Sequence, residues 1–367
     1  MKKEKIGILT FQNSVNFGAL LQAFGMYQIL TNLDYEPEII NYHSPNKAHM
    51  YKLLNLGFNL SIKDNIRGIL GFPLKCSKFK KSSNFREKQL CIKKPFLTTY
   101  QELSDYQKRF QKIIVGSDQV WNYDNTNGDH RYFLDFISSD KKIAYAPSFG
   151  KSVLDEKYKE EYQKYLQDFP SISVRETDGR KIVEDLIGRE VLQVLDPTLA
   201  LSRKNWENMV KPYSKSKNYL VVYIVGNKDQ TLNVAKQIAK EKGLKIILIA
   251  TETKDYIKGV RAVNPSVNEF VGLIKNSSYV VTSSFHGLAF AITFNKQFTA
   301  CLEKDAQRNS RQLSLLNLTN LSDRVSFDDN ISNSENKLIN WEQVNALLEK
   351  ERQKSIDFLR HSLERNL

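Results

Sequence analysis

A histidine and two serines stand where an apolar strand pattern changes into an apolar helix pattern. The pattern Tyr279–Thr282 predicts a buried strand, and Ser284 and His286 follow it at the start of the predicted helix. Helix N-termini carry unpaired N–H groups and the positive end of the helix dipole, which favour an anion. In α/β sheets, ligands bind at the carboxyl ends of strands. We therefore expect His286 either to bind an anion or to act as a structural cap.

Two arginines supply candidate cations at other strand ends. Arg175 ends the apolar pattern Ser171–Arg175, where a guanidinium group is costly unless it meets an anion. Its partner could also be Glu176 or another neighbouring acid. Arg311 follows the strand pattern that comes after the His286 helix. Because loops at one sheet edge lie close together, His286, Arg175 and Arg311 could converge on one small, multiply charged anion.

The segment after the first predicted strand is a polar loop that leads into a helix. Asn16 and Gly18 can present an amide and an exposed backbone to a ligand there. A dinucleotide-binding loop needs three correctly spaced glycines. Gly18 is the only glycine of this loop, so the sequence excludes that loop type here.

Two further predicted strand ends carry polar side chains. Ser117 and Asp118 follow a predicted buried strand, with Trp121 close behind them. A carboxylate beside a tryptophan is a common sugar-binding pair, but Asp118 could equally cap a helix. Ser148 lies in a glycine-containing turn after the next strand.

Length and composition indicate the class of protein. At 367 residues, the chain exceeds the size at which one hydrophobic core usually keeps growing, which predicts two domains. No apolar run approaches the roughly 18 residues that span a bilayer. The N-terminus passes from charges directly into a strand pattern and lacks the features of a signal peptide. Three cysteines without metal-like spacing predict a cytoplasmic protein with neither disulfides nor a zinc site.

The formal net charge of +13 is unevenly distributed. Eight basic residues crowd one segment, in which Glu87 is the one acid: Lys75, Lys78, Lys80, Lys81, Arg86, Lys88, Lys93 and Lys94. The segment lacks the basic–aromatic interleaving of known nucleic-acid modules, so we do not expect nucleic acid as a partner. Two interpretations of the basic segment remain: a solvated surface, or a surface that contacts anionic lipid head groups.

Apolar runs alternate with helical patterns, which is typical of βαβ units and a mainly parallel sheet. We predict an α/β fold with two doubly wound, Rossmann-like domains that face each other across a cleft. The domains are residues 1–200 and 201–330, and residues 331–367 contribute a C-terminal amphipathic helix. Residues from about 46 to 95 do not fit the βα rhythm and predict a basic, helical insertion.

The patterns assign particular strands and helices. The predicted strands are Lys5–Phe11, Glu38–Tyr42, Lys112–Gly116, Lys142–Ala146, Ser171–Arg175, Val191–Val194, Tyr219–Val225, Lys245–Ala250, Tyr279–Thr282 and Phe298–Leu302. The predicted helices are Gly18–Leu30, Asp155–Leu166, Asp178–Leu186, Thr231–Lys242, Val267–Lys275, Gly287–Phe294 and Asn340–Asn366.

Six short segments occur in a fixed order over residues from about 6 to 325. They are Asn16–Gln22, Gly116–Asn122, Ala144–Gly150, Ser173–Glu176, Asp196–Thr198 and Ser284–Gly287. Each is weak alone, but together they resemble the polysaccharide pyruvyl transferase family. The resemblance implies a two-domain fold similar to GT-B glycosyltransferases. It also implies phosphoenolpyruvate as donor, a glycan acceptor that could be lipid-linked, and a pyruvate ketal as product.

The resemblance implies roles for individual residues. Arg175 and His286 match positions that hold the donor, and His286 would contact the phosphate or act as an acid. Asp118 would be a base for the acceptor hydroxyl, in the N-terminal domain. The remaining expected substrate-binding residues are Asn16, Gly18, Ser117, Trp121, Ser148, Glu176, Ser284 and Arg311. No metal or redox cofactor is expected.

The sequence departs from the family at one cationic position. Some members carry a lysine where this chain has Ala306, so Arg311, or else Lys304 or Arg308, would replace it. Two other functions fit the same architecture. A nucleotide-sugar glycosyltransferase would transfer a sugar, and a non-catalytic glycan-binding protein would turn over neither donor.

Overall fold

A computed structural model describes residues 3–46, 62–92, 95–212, 218–226, 228–250, 255–257, 260–304, 306–327 and 337–365. Its framework is two parallel sheets of six strands each. The first sheet contains β1 (Lys5–Leu9), β2 (Glu36–Ile39), β3 (Lys112–Val115), β4 (Lys142–Ala144), β5 (Ser171–Val174) and β6 (Leu192–Gln193). The second contains β7 (Tyr219–Tyr223), β8 (Lys245–Ile249), β9 (Arg261–Val263), β10 (Tyr279–Thr282), β11 (Gln297–Leu302) and β12 (Val325–Phe327).

The strand orders are those of doubly wound domains. They are β2-β1-β3-β4-β5-β6 in the first sheet and β12-β11-β10-β7-β8-β9 in the second, and every pairing is parallel. The order therefore reverses between β1 and β3 in one domain and between β7 and β10 in the other. Ligands of open α/β sheets bind at such points. The predicted fold class is confirmed.

Thirteen α-helices connect and cover the strands within the described residues. They are α1 (Phe17–Asn32), α2 (Ile62–Gln89), α3 (Tyr100–Tyr106), α4 (Tyr123–Thr126), α5 (Lys159–Gln167), α6 (Thr177–Ile187), α7 (Pro197–Ala200), α8 (Arg203–Met209), α9 (Lys228–Glu241), α10 (Val267–Asn276), α11 (Phe285–Thr293), α12 (Ala306–Leu318) and α13 (Trp341–Glu364). Because helices cover both faces of each sheet, the central strands are apolar throughout, as β7 shows with five buried residues.

Several predicted strands were too long at their carboxyl ends. The first predicted strand, for example, extended to Phe11, whereas β1 ends at Leu9. In β4 the chain leaves the ladder before Ala146, whose φ of 50° is incompatible with a strand. The residues beyond each ladder form the loops at the sheet edge. The short elements β9, β12, α3, α4, α7 and α8 and the helix α12 were not predicted, since their patterns are brief or polar.

Helix α1 joins the two domains through apolar contacts. It is buried around most of its circumference, and Phe17 stacks on Phe270 of α10 with ring centroids 4.5 Å apart. Phe24 packs on Trp206, which in turn meets Phe290 of α11. One hydrophobic core therefore runs from the first sheet across α1 into the second domain.

Helix α2 lies within the predicted basic insertion and contacts both domains. Lys81 donates a hydrogen bond to the Asn264 carbonyl in the second domain, and Arg86 donates to Asn13 Oδ1 in the first at 2.9 Å. Arg86 is buried, so the expectation that the whole cluster is solvated is wrong for this residue. Lys93 and Lys94, and residues 47–61 of the insertion, lie outside the described residues.

The last helix, α13, packs against the first domain. Ser355 Oγ accepts a hydrogen bond from the Leu195 backbone N–H at 2.9 Å, and Lys112 donates to the Arg365 carbonyl at 2.7 Å. The chain thus returns from the second domain to the first. Among the described residues, none of the helices combines the length and apolar character that crossing a bilayer requires.

Candidate active site

Three loops at the carboxyl edge of the first sheet are tied to one another. The Ser148 N–H donates to the Asp118 carbonyl at 2.9 Å, and the Arg175 N–H donates to the Pro147 carbonyl at 3.4 Å. Gly116 starts the first loop with a φ of 109°, and a Cβ there would lie 2.2 Å from the Tyr145 carbonyl oxygen. Glycine is required at this position. Asp118 follows with a φ of 71°, which aspartate tolerates better than most residues.

Arg175 is enclosed at the centre of these loops, with its side chain 1% exposed. Its guanidinium lies 2.9 Å from Asp196 Oδ2, and 3.7 Å from both Asp118 Oδ1 and Glu176 Oε2. Burial lowers the pKa of Arg175, but these three carboxylates outweigh it and the net pKa is raised. Arg175 therefore stays cationic. Its other face covers the Phe285 ring of the second domain, 4.8 Å from the centroid.

Asp196 is the residue of this cluster that sequence reasoning missed. It caps α7, and Oδ1 accepts hydrogen bonds from the Thr198 N–H and hydroxyl at 2.9 and 2.7 Å. Its Oδ2 faces Arg175 and also lies 2.8 Å from Ser117 Oγ. The available signal was the segment Asp196–Thr198, but an Asp-Pro pair is equally typical of an ordinary helix start.

Glu176 and Ser148 brace the second loop. Glu176 is fully buried, and its Oε1 accepts hydrogen bonds from Ser148 Oγ at 2.7 Å and from the Phe149 N–H at 3.2 Å. Ser148 Oγ in turn accepts from the Gly150 N–H at 3.0 Å. Both predicted substrate-binding side chains thus reach the cluster, and each already holds the loop in shape. Glu176 Oε2, which faces Arg175, has no hydrogen-bond partner.

His286 approaches the cluster from the second domain. It lies in the first turn of α11, whose cap is Ser284, with Oγ accepting from the Gly287 N–H at 3.4 Å. Its ring packs on the backbone of Gly18, where a Cβ would be 2.0 Å from Nδ1. Its Nε2 is buried without a hydrogen-bond partner, 3.9 Å from Asp196 Oδ2. Burial lowers the pKa of His286, and Asp196 and Asp118 only partly oppose this, so the free site holds neutral imidazole at neutral pH.

Arg311 reaches the same junction from α12. The neighbouring Gln312 donates to the Ser283 carbonyl at 3.2 Å, and Ser314 Oγ accepts from Gln193 of the first domain at 2.8 Å. These bonds fix α12 between the domains. Burial, reinforced by the charge of Arg175, lowers the pKa of Arg311 to about 10, so it too remains cationic at neutral pH. Its Nε has no hydrogen-bond partner.

The arrangement can bind an anion. Within the described part of the chain, the buried atoms Arg175 Nε and NH2, His286 Nε2 and Arg311 Nε have no hydrogen-bond partner. The two Arg175 atoms lie 3.7 Å from carboxylate oxygens of Glu176 and Asp118. Buried donors of this kind are costly unless something accepts from them. Gly18 and His286 lie in the first turns of α1 and α11, and Arg175 lies two residues before α6, so the N-termini of these three helices add positive potential.

Two predicted site residues take other positions. Trp121 is fully buried, donates its indole N–H to the Tyr132 carbonyl at 3.1 Å and stacks on Phe133. Its ring belongs to the core of the first domain, so the expected Trp121–sugar contact is wrong in this geometry. Asn16 is exposed and caps α1 through its Oδ1, which accepts from the Gly18 N–H at 2.8 Å.

The cavities near these groups are small. One of about 20 Å³ is bounded by Arg175, Asp196, Phe285 and Arg311, which is room for one water molecule and not for a phosphorylated acid. A groove of about 690 Å³ lies beside α13 at the amino ends of β5 and β6, away from the cluster. In the described residues, no group of three or more His, Cys, Asp or Glu side chains is arranged to hold a metal ion.

The sequence profile of the polysaccharide pyruvyl transferase family matches residues 16–304. The chain belongs to this family. The matched span begins at Asn16 and includes Asp118, Arg175, Asp196 and His286, whereas Arg311 lies beyond its end. The chain is therefore a transferase enzyme. No protein of curated function matches the sequence.

Several solved structures are similar to this chain at low identity. UDP-GlcNAc 2-epimerase from Methanocaldococcus jannaschii is 12% identical, with 98% of this chain and 99% of that chain covered and a TM-score of 0.48. A putative UDP-N-acetylglucosamine 2-epimerase from Listeria monocytogenes is 9% identical, with 98% and 91% covered and a TM-score of 0.48. ADP-heptose LPS heptosyltransferase II from E. coli is 13% identical, with 95% and 99% covered and a TM-score of 0.35.

The contact between Gly18 and His286 gives a test of how the domains meet. Gly18→Ala should lower the free energy of unfolding by about 1–3 kcal/mol through overpacking, although alanine is the better helix former by about 1 kcal/mol. In a His286→Ala background the same substitution should be neutral or stabilising. Denaturant unfolding of the four proteins of this cycle measures the coupling. Equal effects of Gly18→Ala in both backgrounds would show that the ring does not pack there.

Proposed function

We propose that this enzyme transfers the enolpyruvyl group of phosphoenolpyruvate to a sugar of a cell-surface polysaccharide or its lipid-linked precursor. The product is a pyruvate ketal, and inorganic phosphate is released. The observation that carries the proposal is the convergence of Arg175 and His286, which lie within the family-matched residues 16–304, with Arg311, which follows those residues. Each of the three side chains has a buried nitrogen without a hydrogen-bond partner. A donor with a phosphate and a carboxylate needs several cationic N–H groups in one place.

The reaction balances without a metal or redox cofactor. A proton adds to the methylene carbon of the donor, which leaves a cationic centre at C2. One sugar hydroxyl adds to C2 and gives up its proton. The C2–O bond to phosphate breaks, and a second hydroxyl of the same sugar closes the ketal with loss of its proton. The diol thus supplies two protons, of which one ends in the ketal methyl group and one on phosphate.

His286 is suited to proton transfer because its charge depends on the donor. In the free site, burial lowers its pKa. A bound phosphate and carboxylate would raise that pKa by direct attraction, so His286 takes up a proton as the donor binds. Its Nε2 then either donates a hydrogen bond to the phosphate or protonates the donor. Arg175 and Arg311 hold the negative groups in both cases.

Asp118 is the group placed to act as base for the acceptor. It lies at the edge of the cluster, 9% exposed, with Oδ1 accepting from the Gln119 N–H at 2.9 Å. It belongs to the first domain, and its charge favours the protonated form of His286. We propose that the acceptor hydroxyl meets Asp118 there. The cavity beside Arg175 holds about 20 Å³, so binding of the donor there requires that the two domains separate.

A donor screen tests the proposal. The purified enzyme is incubated with phosphoenolpyruvate or with UDP- and ADP-sugars, each with a panel of lipid-linked and nitrophenyl glycosides. Acceptor-dependent phosphate release from phosphoenolpyruvate is the expected result. Release of nucleotide from a sugar donor would instead favour a glycosyltransferase, and turnover of neither donor would favour a glycan-binding protein.

The third cation of the donor site can be identified by comparing three substitutions. Lys304 and Arg308 are exposed, and Arg308 lies 3.7 Å from Glu303, whereas Arg311 lies beside Arg175. Arg311→Ala should raise the KM for phosphoenolpyruvate by about tenfold or more, as loss of a buried charge-assisted contact does. Lys304→Ala and Arg308→Ala should change it little. A larger effect of Lys304→Ala would move the assignment to Lys304.

We further propose a cytoplasmic enzyme that contacts the inner face of the membrane through α2. Lys75, Lys80 and Lys88 are exposed on this helix, and each can add about 1 kcal/mol of attraction to an anionic surface. The triple Lys→Gln variant should bind anionic vesicles less at low salt, and wild-type binding should fade with salt because exposed charges are screened.

Co-sedimentation with anionic and neutral vesicles measures the binding of the wild type and of the α2 variant. The matched control is a triple Lys→Gln variant at Lys236, Lys240 and Lys245, which are exposed in the second domain. Equal loss in both triple variants would mean that net charge alone attracts the protein. Equal binding of the wild type to both vesicle types, or none to either, would leave α2 as a solvated surface.

A further inference from the structure

Asp196 is a buried carboxylate to which the reaction described above gives no role. It is 1% exposed, and both of its oxygens are engaged. Oδ1 accepts two hydrogen bonds from Thr198, and Oδ2 accepts from Arg175 at 2.9 Å and from the Ser117 hydroxyl at 2.8 Å. A carboxylate held at both oxygens has a single orientation. That orientation directs Oδ2 toward the second domain.

The atom that Asp196 Oδ2 faces across the domain junction is His286 Nε2, 3.9 Å away. Among the described acidic side chains, Asp196 is the one that comes within 4.0 Å of this ring. Asp118 and Glu176 lie instead on other sides of the Arg175 guanidinium, each at 3.7 Å. His286 Nε2 has no hydrogen-bond partner, so its protonation depends on the charges around it.

We propose that Asp196 is a positioning residue that fixes the Arg175 guanidinium and keeps His286 protonated while the donor is bound. The inference rests on the proposed function, because it assigns Asp196 to the same reaction. It predicts that the negative charge of Asp196, and not only its hydrogen bonds, matters for turnover.

The balance of charges around His286 supports this role. Burial opposes the imidazolium ion, and Arg175 and Arg311 oppose it further. Asp196 and Asp118 favour it, with Asp196 the larger contribution. Asp196 itself remains ionised: burial raises its pKa, but His286, Arg175 and the Thr198 hydrogen bonds together lower it below the usual value. Without the Asp196 carboxylate, burial and the charges of Arg175 and Arg311 would keep His286 neutral.

The direct test is titration of the His286 ring by NMR with labelled histidine. The chain has five histidines, and His286→Gln identifies the signal. In Asp196→Asn the pKa of His286 should fall, and in Asp196→Glu, which keeps the charge, it should recover toward wild type. Asp129→Asn is the matched control, because Asp129 is also a buried helix-capping carboxylate. An unchanged His286 titration in Asp196→Asn would overturn the proposal.

Should Asp196→Asn fail to fold, Ser117→Ala provides a change in the opposite direction. The Ser117 hydroxyl donates a hydrogen bond to Asp196 Oδ2 at 2.8 Å. This bond weakens the negative potential that Oδ2 exerts on His286. Removing it should raise the pKa of His286. If Asp196 only maintained the fold, Ser117→Ala would not raise the pKa of His286. An unchanged His286 pKa in Ser117→Ala would therefore count against the proposal.

The pH dependence of turnover gives a second readout. At saturating phosphoenolpyruvate, the loss in Asp196→Asn should be about tenfold larger near pH 8 than near pH 6, because one pKa unit changes the protonated fraction tenfold. A loss that is equal at all pH values would assign Asp196 to the fold alone. If the wild type does not use phosphoenolpyruvate, the donor proposal fails, and the NMR titration still decides the role of Asp196.

Discussion

Replacing Arg175 by alanine should destabilise the protein by about 3–5 kcal/mol, because a buried ion cluster then loses its cation. Asp196, Asp118 and Glu176, whose oxygens lie 2.9–3.7 Å from the guanidinium, would be left without the cation that they surround. Denaturant unfolding measures the loss. The affinity for phosphoenolpyruvate, followed by calorimetry at a temperature where the variant is folded, should fall by about 100-fold or more.

Two controls separate the fold from the donor site. Arg175→Lys keeps the charge and should recover part of the stability, but it lacks the planar fork and should not recover donor affinity. Arg180→Ala removes a surface arginine on α6 that is 46% exposed beside Glu184 and should change stability by less than about 0.5 kcal/mol. A folded Arg175→Ala variant with near-normal donor affinity would remove Arg175 from the donor site.

Replacing His286 by glutamine should lower phosphate release from phosphoenolpyruvate by about 100-fold, as loss of an acid–base group does. Stability should change little, because His286 is neutral in the free site and glutamine is of similar size. His361→Gln, an exposed histidine on α13 whose Nδ1 lies 2.7 Å from the Asp357 carbonyl, is the control and should leave the rate unchanged. A folded His286→Gln variant with wild-type rate would exclude His286 from the reaction.

The same variant tests proton uptake. The pKa of His286 is lowered in the free site, and a bound anion raises it. Between these two values the protein gains a proton on binding phosphoenolpyruvate, and at lower or higher pH it gains none from this residue. Calorimetry in buffers of different ionisation enthalpy reads the uptake. We expect it in the wild type and its loss in His286→Gln.

Arg311 lies within α12, a helix that the sequence patterns did not predict. The sequence was sufficient to predict that Arg175 and His286 lie at or just beyond the carboxyl ends of strands, where ligands of parallel sheets bind. Their meeting depends on the second domain docking on α1, and the signal for this was that α1 is apolar on all sides. Trp121 was expected in the site and lies in the core, whereas Asp196 was not expected in the site and lies in the cluster. A tryptophan after a loop can face solvent or core, and only tertiary packing against Phe133 and Phe149 decides.

The basic insertion was also predicted only in part. Its charges and helical pattern predicted α2, but not that Lys81 and Arg86 would bind the Asn264 carbonyl and Asn13. Long basic side chains on a helix look alike in sequence whether they meet water or a distant backbone carbonyl. Gly18 is a further case, because its small size serves the His286 ring and not, as expected, an exposed backbone.

Transfer of the enolpyruvyl group to a sugar is tested most directly with an isotope label at C2 of phosphoenolpyruvate. Phosphoenolpyruvate labelled with ¹³C at C2 is incubated with the enzyme and a glycan acceptor in D₂O, and the product is examined by NMR. If the proposed reaction occurs, the label becomes a quaternary ketal carbon bonded to two oxygens of one sugar, with solvent deuterium in the adjacent methyl group. Label that stays in phosphoenolpyruvate, while the same acceptor gains a sugar from a nucleotide donor, would contradict it.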